Sequence, residues 1–170
     1  QPARSPGPWE NARVLVVDTE TTGLQEAGKL PFRLVSIGWV LCRSPDDIEE
    51  EHTFRISPDT YRTPAPHAGA GRTGVETSDP EIVPCREALS AFWSAYERCD
   101  VLVGHNLDFD ELVIYSESVD QGLEFSVAGQ ARSRVCTMKE SAGLFCVPAA
   151  RKEEWKWPSL LEVYYALYPF

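Results

Sequence analysis

Residues 13–24 read Arg-Val-Leu-Val-Val-Asp-Thr-Glu-Thr-Thr-Gly-Leu, and this stretch decides the fold. Arg13–Asp18 is a short β-branched run with apolar residues on both sides, the pattern of a strand buried inside a sheet. Asp18 and Glu20 stand two residues apart where that run ends, so both side chains leave the strand on one face. Two carboxylates placed that way repel each other unless a cation lies between them, and oxygen-only donor sets suit Mg²⁺ or Mn²⁺. A bare Asp-x-Glu pair is far more often a polar strand end before a turn. The threonine-rich continuation into Gly23 sets this one apart.

Working outward, Leu34–Cys42 reads as a second strand and the alternating Glu51–Ile56 as a third, with residues 44–50 as the hairpin loop between them. Residues 57–84 hold five Pro and three Gly without a sustained period and read as a long loop. Cys85–Glu97 predicts a helix, with Cys85, Ala88, Leu89, Phe92, Trp93 and Tyr96 on one face. Asp100–Gly104 predicts a strand and Leu107–Ser118 a helix. A brief strand over 135–138, a short helix over 139–144 and a last helix over 158–168 follow. Three strands in series and then alternating helix and strand define an α/β class, a mixed sheet flanked by helices.

A second constellation, Gly104-His105-Asn106-Leu107-Asp108-Phe109-Asp110, lies where a strand hands over to a helix. A carboxylate in the first turn of a helix is favoured by the helix dipole and is rigidly held, as a metal ligand should be. Each residue also has a plainer use. Asn106 suits a helix cap, Phe109 the core, His105 a satisfied strand end, and Asp110 a surface acid.

Taken together and in this order, Val-Asp-Thr-Glu-Thr-Thr-Gly-Leu and Gly-His-Asn-Leu-Asp-Phe-Asp resemble the first two motifs of the DnaQ-like (DEDD) 3′→5′ exonucleases. That family includes the proofreading subunit of bacterial DNA polymerase III and ribonuclease T-like enzymes. The resemblance spans roughly residues 13–168. It implies a ribonuclease H-like fold with a mixed five-stranded sheet, and two divalent cations, Mg²⁺ or Mn²⁺. By the resemblance Asp18, Glu20 and Asp110 are three of the four acidic metal ligands. Thr21 and Leu24 lie against the terminal nucleotide, and His105, Asn106 and Phe109 line or support the cleft. Asp108 points away from Asp110. The activity implied is release of nucleoside 5′-monophosphates from single-stranded 3′ ends of DNA or RNA, as in proofreading or repair. A polymerase or other protein partner is compatible with it. The alternative is an inactive nucleic-acid-binding or protein-interaction module on the same fold.

The sequence departs from the family in one large respect. The third motif, His-x-x-x-x-Asp or Tyr-x-x-x-Asp, is absent downstream of Ser159–Tyr165, and the wording of the first two motifs favours the histidine branch. The general base and fourth carboxylate are therefore expected beyond Phe170, with residues 13–170 a truncated exonuclease domain and 1–12 a flexible lead-in. The matching stretch for a family loop motif before the first helix is Arg72-Thr73-Gly74-Val75, which departs from it.

Composition fits these expectations. The chain has 170 residues, is 43% hydrophobic and has room for one core. No run is long enough to span a membrane and no secretory leader is visible. Five cysteines without a Cys-x-x-Cys pair suggest reduced thiols and a cytoplasmic setting rather than a zinc site. A net charge of −10 argues against holding long nucleic acid on a broad basic surface, but not against gripping a few nucleotides through metal ions. Candidate phosphate contacts are Arg132, Arg134, Lys139, Arg151, Lys152 and Lys156.

Overall fold

The computed structural model describes residues 11–22, 33–57, 81–124, 133–145 and 156–169. Leu24, the stretch 72–75, Arg132, Arg151, Lys152 and most of the 1–12 lead-in lie outside them. The elements run β1 (Val14–Thr21), β2 (Leu34–Ser44), β3 (Asp47–Ile56), β4 (Glu81–Val83), α1 (Cys85–Arg98), β5 (Val101–Gly104), α2 (Leu107–Asp120), β6 (Ser133–Cys136), α3 (Thr137–Phe145) and α4 (Leu160–Leu167). The described strands form one mixed sheet in the order β4-β3-β2-β1-β5-β6, with four helices flanking it.

The sheet has six strands, not five. The sixth is β4, which falls where the proline-rich sequence reads as loop. Three residues are too few to show a period, and their partner is remote. Glu81–Val83 pairs parallel with Phe54–Ile56, and Val83 is buried. The β2–β3 hairpin is also tighter than expected, turning at Pro45-Asp46 rather than over seven residues. Glu49 and Glu50 stay in the strand because arginines neutralise them, Arg13 and Arg43 at Glu49 and Arg98 at Glu50.

β1 is interior, antiparallel to β2 and parallel to β5. It is buried on one face only, which corrects the reading of a strand apolar on both sides. Leu15, Val17 and Thr19 point into the core, whereas Val16 is 41% exposed on the opposite face, beside Asp18 and Glu20. Beneath the core face lie α1, through Cys85, Ala88, Leu89, Phe92 and Ala95, and α2, through Leu107, Val113 and Ile114. Trp39 of β2 meets Phe92 edge-on at 5.8 Å between ring centroids. No helix among the described residues is long and apolar enough to cross a membrane.

Candidate functional site

Strand periodicity places Asp18 and Glu20 together on the open face of β1. Opposite Asp18 across the β1–β2 ladder stands Gly38, and opposite Glu20 stands Ser36. The neighbouring strand therefore presents no bulk to either carboxylate. One step on, the register slips between Glu20 and Thr21, and Thr21 pairs with Leu34. Such an irregularity bends the strand and re-aims the side chains beside it.

The second constellation approaches from β5. A side chain at Gly104 would come within 2.9 Å of Leu107 and 3.3 Å of the Val17 carbonyl, so glycine lets the two strands' ends converge beside Asp18. Asn106 takes the left-handed conformation, φ 73°, which asparagine tolerates better than most residues. It occupies the cap position of α2 but its side chain makes no capping bond, contrary to the plain sequence reading. The turn is closed instead by the Phe109 N–H donating to the Asn106 carbonyl at 2.8 Å. The Asn106 side chain is exposed, and Phe109 packs half-buried against the core.

Asp110 comes to rest under β1, 3% exposed. Its Oδ1 accepts from the backbone N–H of Thr19 at 3.0 Å and from the Thr19 hydroxyl at 2.7 Å. The residue between the two open-face carboxylates thus carries the third. Burial, the larger cause, and the negative charge of Asp18 push the Asp110 carboxyl up to about 6 against the hydrogen bonds from Thr19. Burial also raises Asp18, and His105 opposes that shift. No cation among the described residues contacts Asp110.

His105 spends both ring nitrogens inside the protein. Nε2 lies 2.9 Å from the Pro158 carbonyl, so it must carry a proton and donate. Nδ1 lies 3.0 Å from the Thr137 hydroxyl. The imidazole thereby ties the end of β5 to the start of α3 and to the segment entering α4. That helix begins with a capping box between Ser159 and Glu162. Asp108 turns outward into ion pairs with Arg134 and Lys139, and Arg134 also binds Glu111. Lys156 pairs with Glu162. The three described candidates for phosphate contacts are therefore already neutralised.

Two further residues escaped the sequence. Glu117, two turns along α2 from Asp110, is 2% exposed. Its Oε1 accepts from the Leu34 N–H at 2.9 Å and lies 3.1 Å from Arg33 Nε. Nothing marks such an acid in the sequence, because a mid-helix glutamate ordinarily faces solvent. The other is Arg55, on the open face of β3, legible from the alternation of Glu51–Ile56 but without a visible link to β1.

The donor chemistry suits a hard divalent cation, since all three acids offer only oxygen and no counter-charge meets Asp110 among the described residues. Among the described residues, no three His, Cys, Asp or Glu side chains gather closely enough to enclose an ion. No protein-family model matches the chain, and no curated protein matches it.

Proposed function

We propose that this α/β domain is a ribonuclease H-like, DnaQ-type 3′→5′ exonuclease acting on single-stranded ends. One observation carries the reading, the buried Asp110, without a cation beside it among the described residues and fastened to the residue between Asp18 and Glu20. Burying a carboxylate without a cation is costly, and a second carboxylate nearby adds to the cost. A fold tolerates that where the charge has a use. Asp18, Glu20 and Asp110 would hold the cations, which when bound supply charge neutralisation and an activated water for phosphodiester hydrolysis. The protein's own contribution is placement. Thr19 fixes Asp110 through two hydrogen bonds, Gly38 and Ser36 leave the open face clear, and His105 fastens the segment entering α4 to the end of β5. The base and fourth carboxylate are assigned by the resemblance to a segment following α4.

The second reading is an inactive nucleic-acid-binding or protein-interaction module on the same fold. Thermal unfolding in Mn²⁺ against chelator separates the two. A metal site predicts a rise in Tm with Mn²⁺ that follows the mass-action law and is lost in Asp18→Asn and Asp110→Asn. A 3′-labelled oligonucleotide given to a form carrying the segment after α4 should release labelled mononucleotide first. Oligonucleotide binding with no Mn²⁺ response would leave only the binding module.

A further inference from the structure

The register of the sheet places four residues in one row across the open face. Glu20 pairs with Ser36, Ser36 with Arg55, and Arg55 with Ile82. All four side chains lie on the face opposite the core, since their neighbours Thr19, Ile37, Ile56 and Val83 are buried on the other side. Reading outward from β1, the row is a carboxylate, a hydroxyl, a cation and an apolar side chain, Ile82, that is 63% exposed. Arg55 stands two strand spacings from Glu20, about 10 Å.

Arg55 is also electrostatically unusual. Every other described arginine or lysine donates to a carboxylate or, for Arg86, to backbone carbonyls. Arg55 has no such partner among the described residues, and the residues flanking it across the ladder, Ser36 and Ile82, are uncharged. In a chain of net charge −10, Arg55 is the one described cation with neither a carboxylate nor a backbone carbonyl as partner, which leaves its exposed guanidinium open to an outside anion.

The geometry points to a track for a single-stranded phosphodiester backbone along this row, with Arg55 as its phosphate clamp and Ile82 as an apolar rest for a sugar or base. The inference rests on the nuclease reading and deepens it. It gives the substrate strand a direction, away from the carboxylates of β1 and over β2 and β3 towards β4. A guanidinium offers two parallel donors to a phosphate, which a surface lysine does not.

Fluorescence anisotropy tests it, with Ca²⁺ in place of Mg²⁺ and two fluorescein-labelled ten-residue probes, oligothymidylate and oligouridylate. Binding of single strands weakens with salt at a slope of about −0.7 per phosphate contact. Arg55→Gln should reduce the magnitude of that slope by about 0.7 on both probes and weaken binding about five- to tenfold. Arg55→Lys should restore the slope. Arg43→Gln, on an arginine already paired with Glu49, should leave it unchanged. A wild-type slope in Arg55→Gln, with binding intact, overturns the track and leaves the nuclease reading standing. An equal loss in Arg43→Gln overturns it as well, since the effect is then bulk charge. So does a loss confined to one probe, which would mean a base or sugar contact. If the wild-type protein binds neither probe, the nucleic-acid reading fails and the track with it.

Discussion

The two ends of α2 each bury a carboxylate against the backbone of the β1–β2 pair, and they do so under opposite electrostatic conditions. Glu117 accepts the Leu34 N–H opposite Thr21 and has Arg33 beside it. Asp110, seven residues earlier on the same side of the helix, accepts the Thr19 N–H and hydroxyl and has Asp18 pressing on it instead. Burial raises both pKa values and hydrogen bonds oppose it at both, but only at Glu117 does a guanidinium also pull back, there against the charge of Asp120. Both are buried and hydrogen-bonded, so the guanidinium, which Asp110 lacks among the described residues, is the difference. A buried acid that brings its own counter-charge fastens the fold, and one that lacks it is suited to a counter-charge from outside.

The largest effect should come from breaking the compensated end. Glu117→Ala removes the acceptor for a buried N–H and the buried partner of Arg33. Losing one partner of a buried pair costs about 3–5 kcal/mol. Because Arg33 retains Asp120 and some exposure, a loss near 3 kcal/mol is expected, roughly 6–12 °C in Tm for a chain of this size. Glu117→Gln keeps an acceptor for Leu34 and should lose much less. Urea unfolding of the three proteins measures this. If alanine costs no more than glutamine, Glu117 is not an anchor.

At the uncompensated end the sign should reverse. The folded pKa of Asp110, about 6, lies above its ordinary value. Its contribution to stability is therefore full below about pH 4 and is lost as pH rises through 6. Asparagine keeps an oxygen for both Thr19 donors but cannot ionise. In chelator, Asp110→Asn should raise stability at pH 8 by on the order of 1 kcal/mol, about 2–4 °C, and give no advantage near pH 4. Mn²⁺ should then stabilise the wild type and not the variant. An Asp110→Asn protein less stable than wild type at pH 8 in chelator would mean that Asp110 already has a counter-charge.

These contrasts show which parts of the site could be read in advance. The shared face of Asp18 and Glu20 follows from the two-residue period of a strand, and a first-turn position places Asp110 on a rigid element. The role of Glu117 could not be read, because it depends on Arg33, remote in sequence, meeting α2. Arg55 was legible as an exposed strand residue, but its place in a row with Glu20 is set by register over three strands. β4 was hidden for the same reason, since its hydrogen-bond partners lie in β3 and not within its own three residues.

The smallest expected effect tests whether burial or distance ranks the partners of Arg33. The guanidinium lies 2.6 Å from Asp120 and 3.1 Å from Glu117, so distance alone favours Asp120. Asp120, however, is 51% exposed and Glu117 only 2%. Water and salt screen the first pair, whereas the second acts in a lower dielectric, where each contact is worth more. Exposed pairs are worth about 0–1 kcal/mol. Asp120→Asn should thus cost about 0.5 kcal/mol or less, and that cost should shrink further in 1 M salt, where the screening length falls to about 3 Å. The Glu117→Ala loss should hardly change with salt. If Asp120→Asn instead costs as much as Glu117→Ala, Arg33 is held from the surface. Glu117 would then be as short of a cation as Asp110, and the contrast between the two ends of α2 would no longer single out Asp110 as the proposed metal ligand.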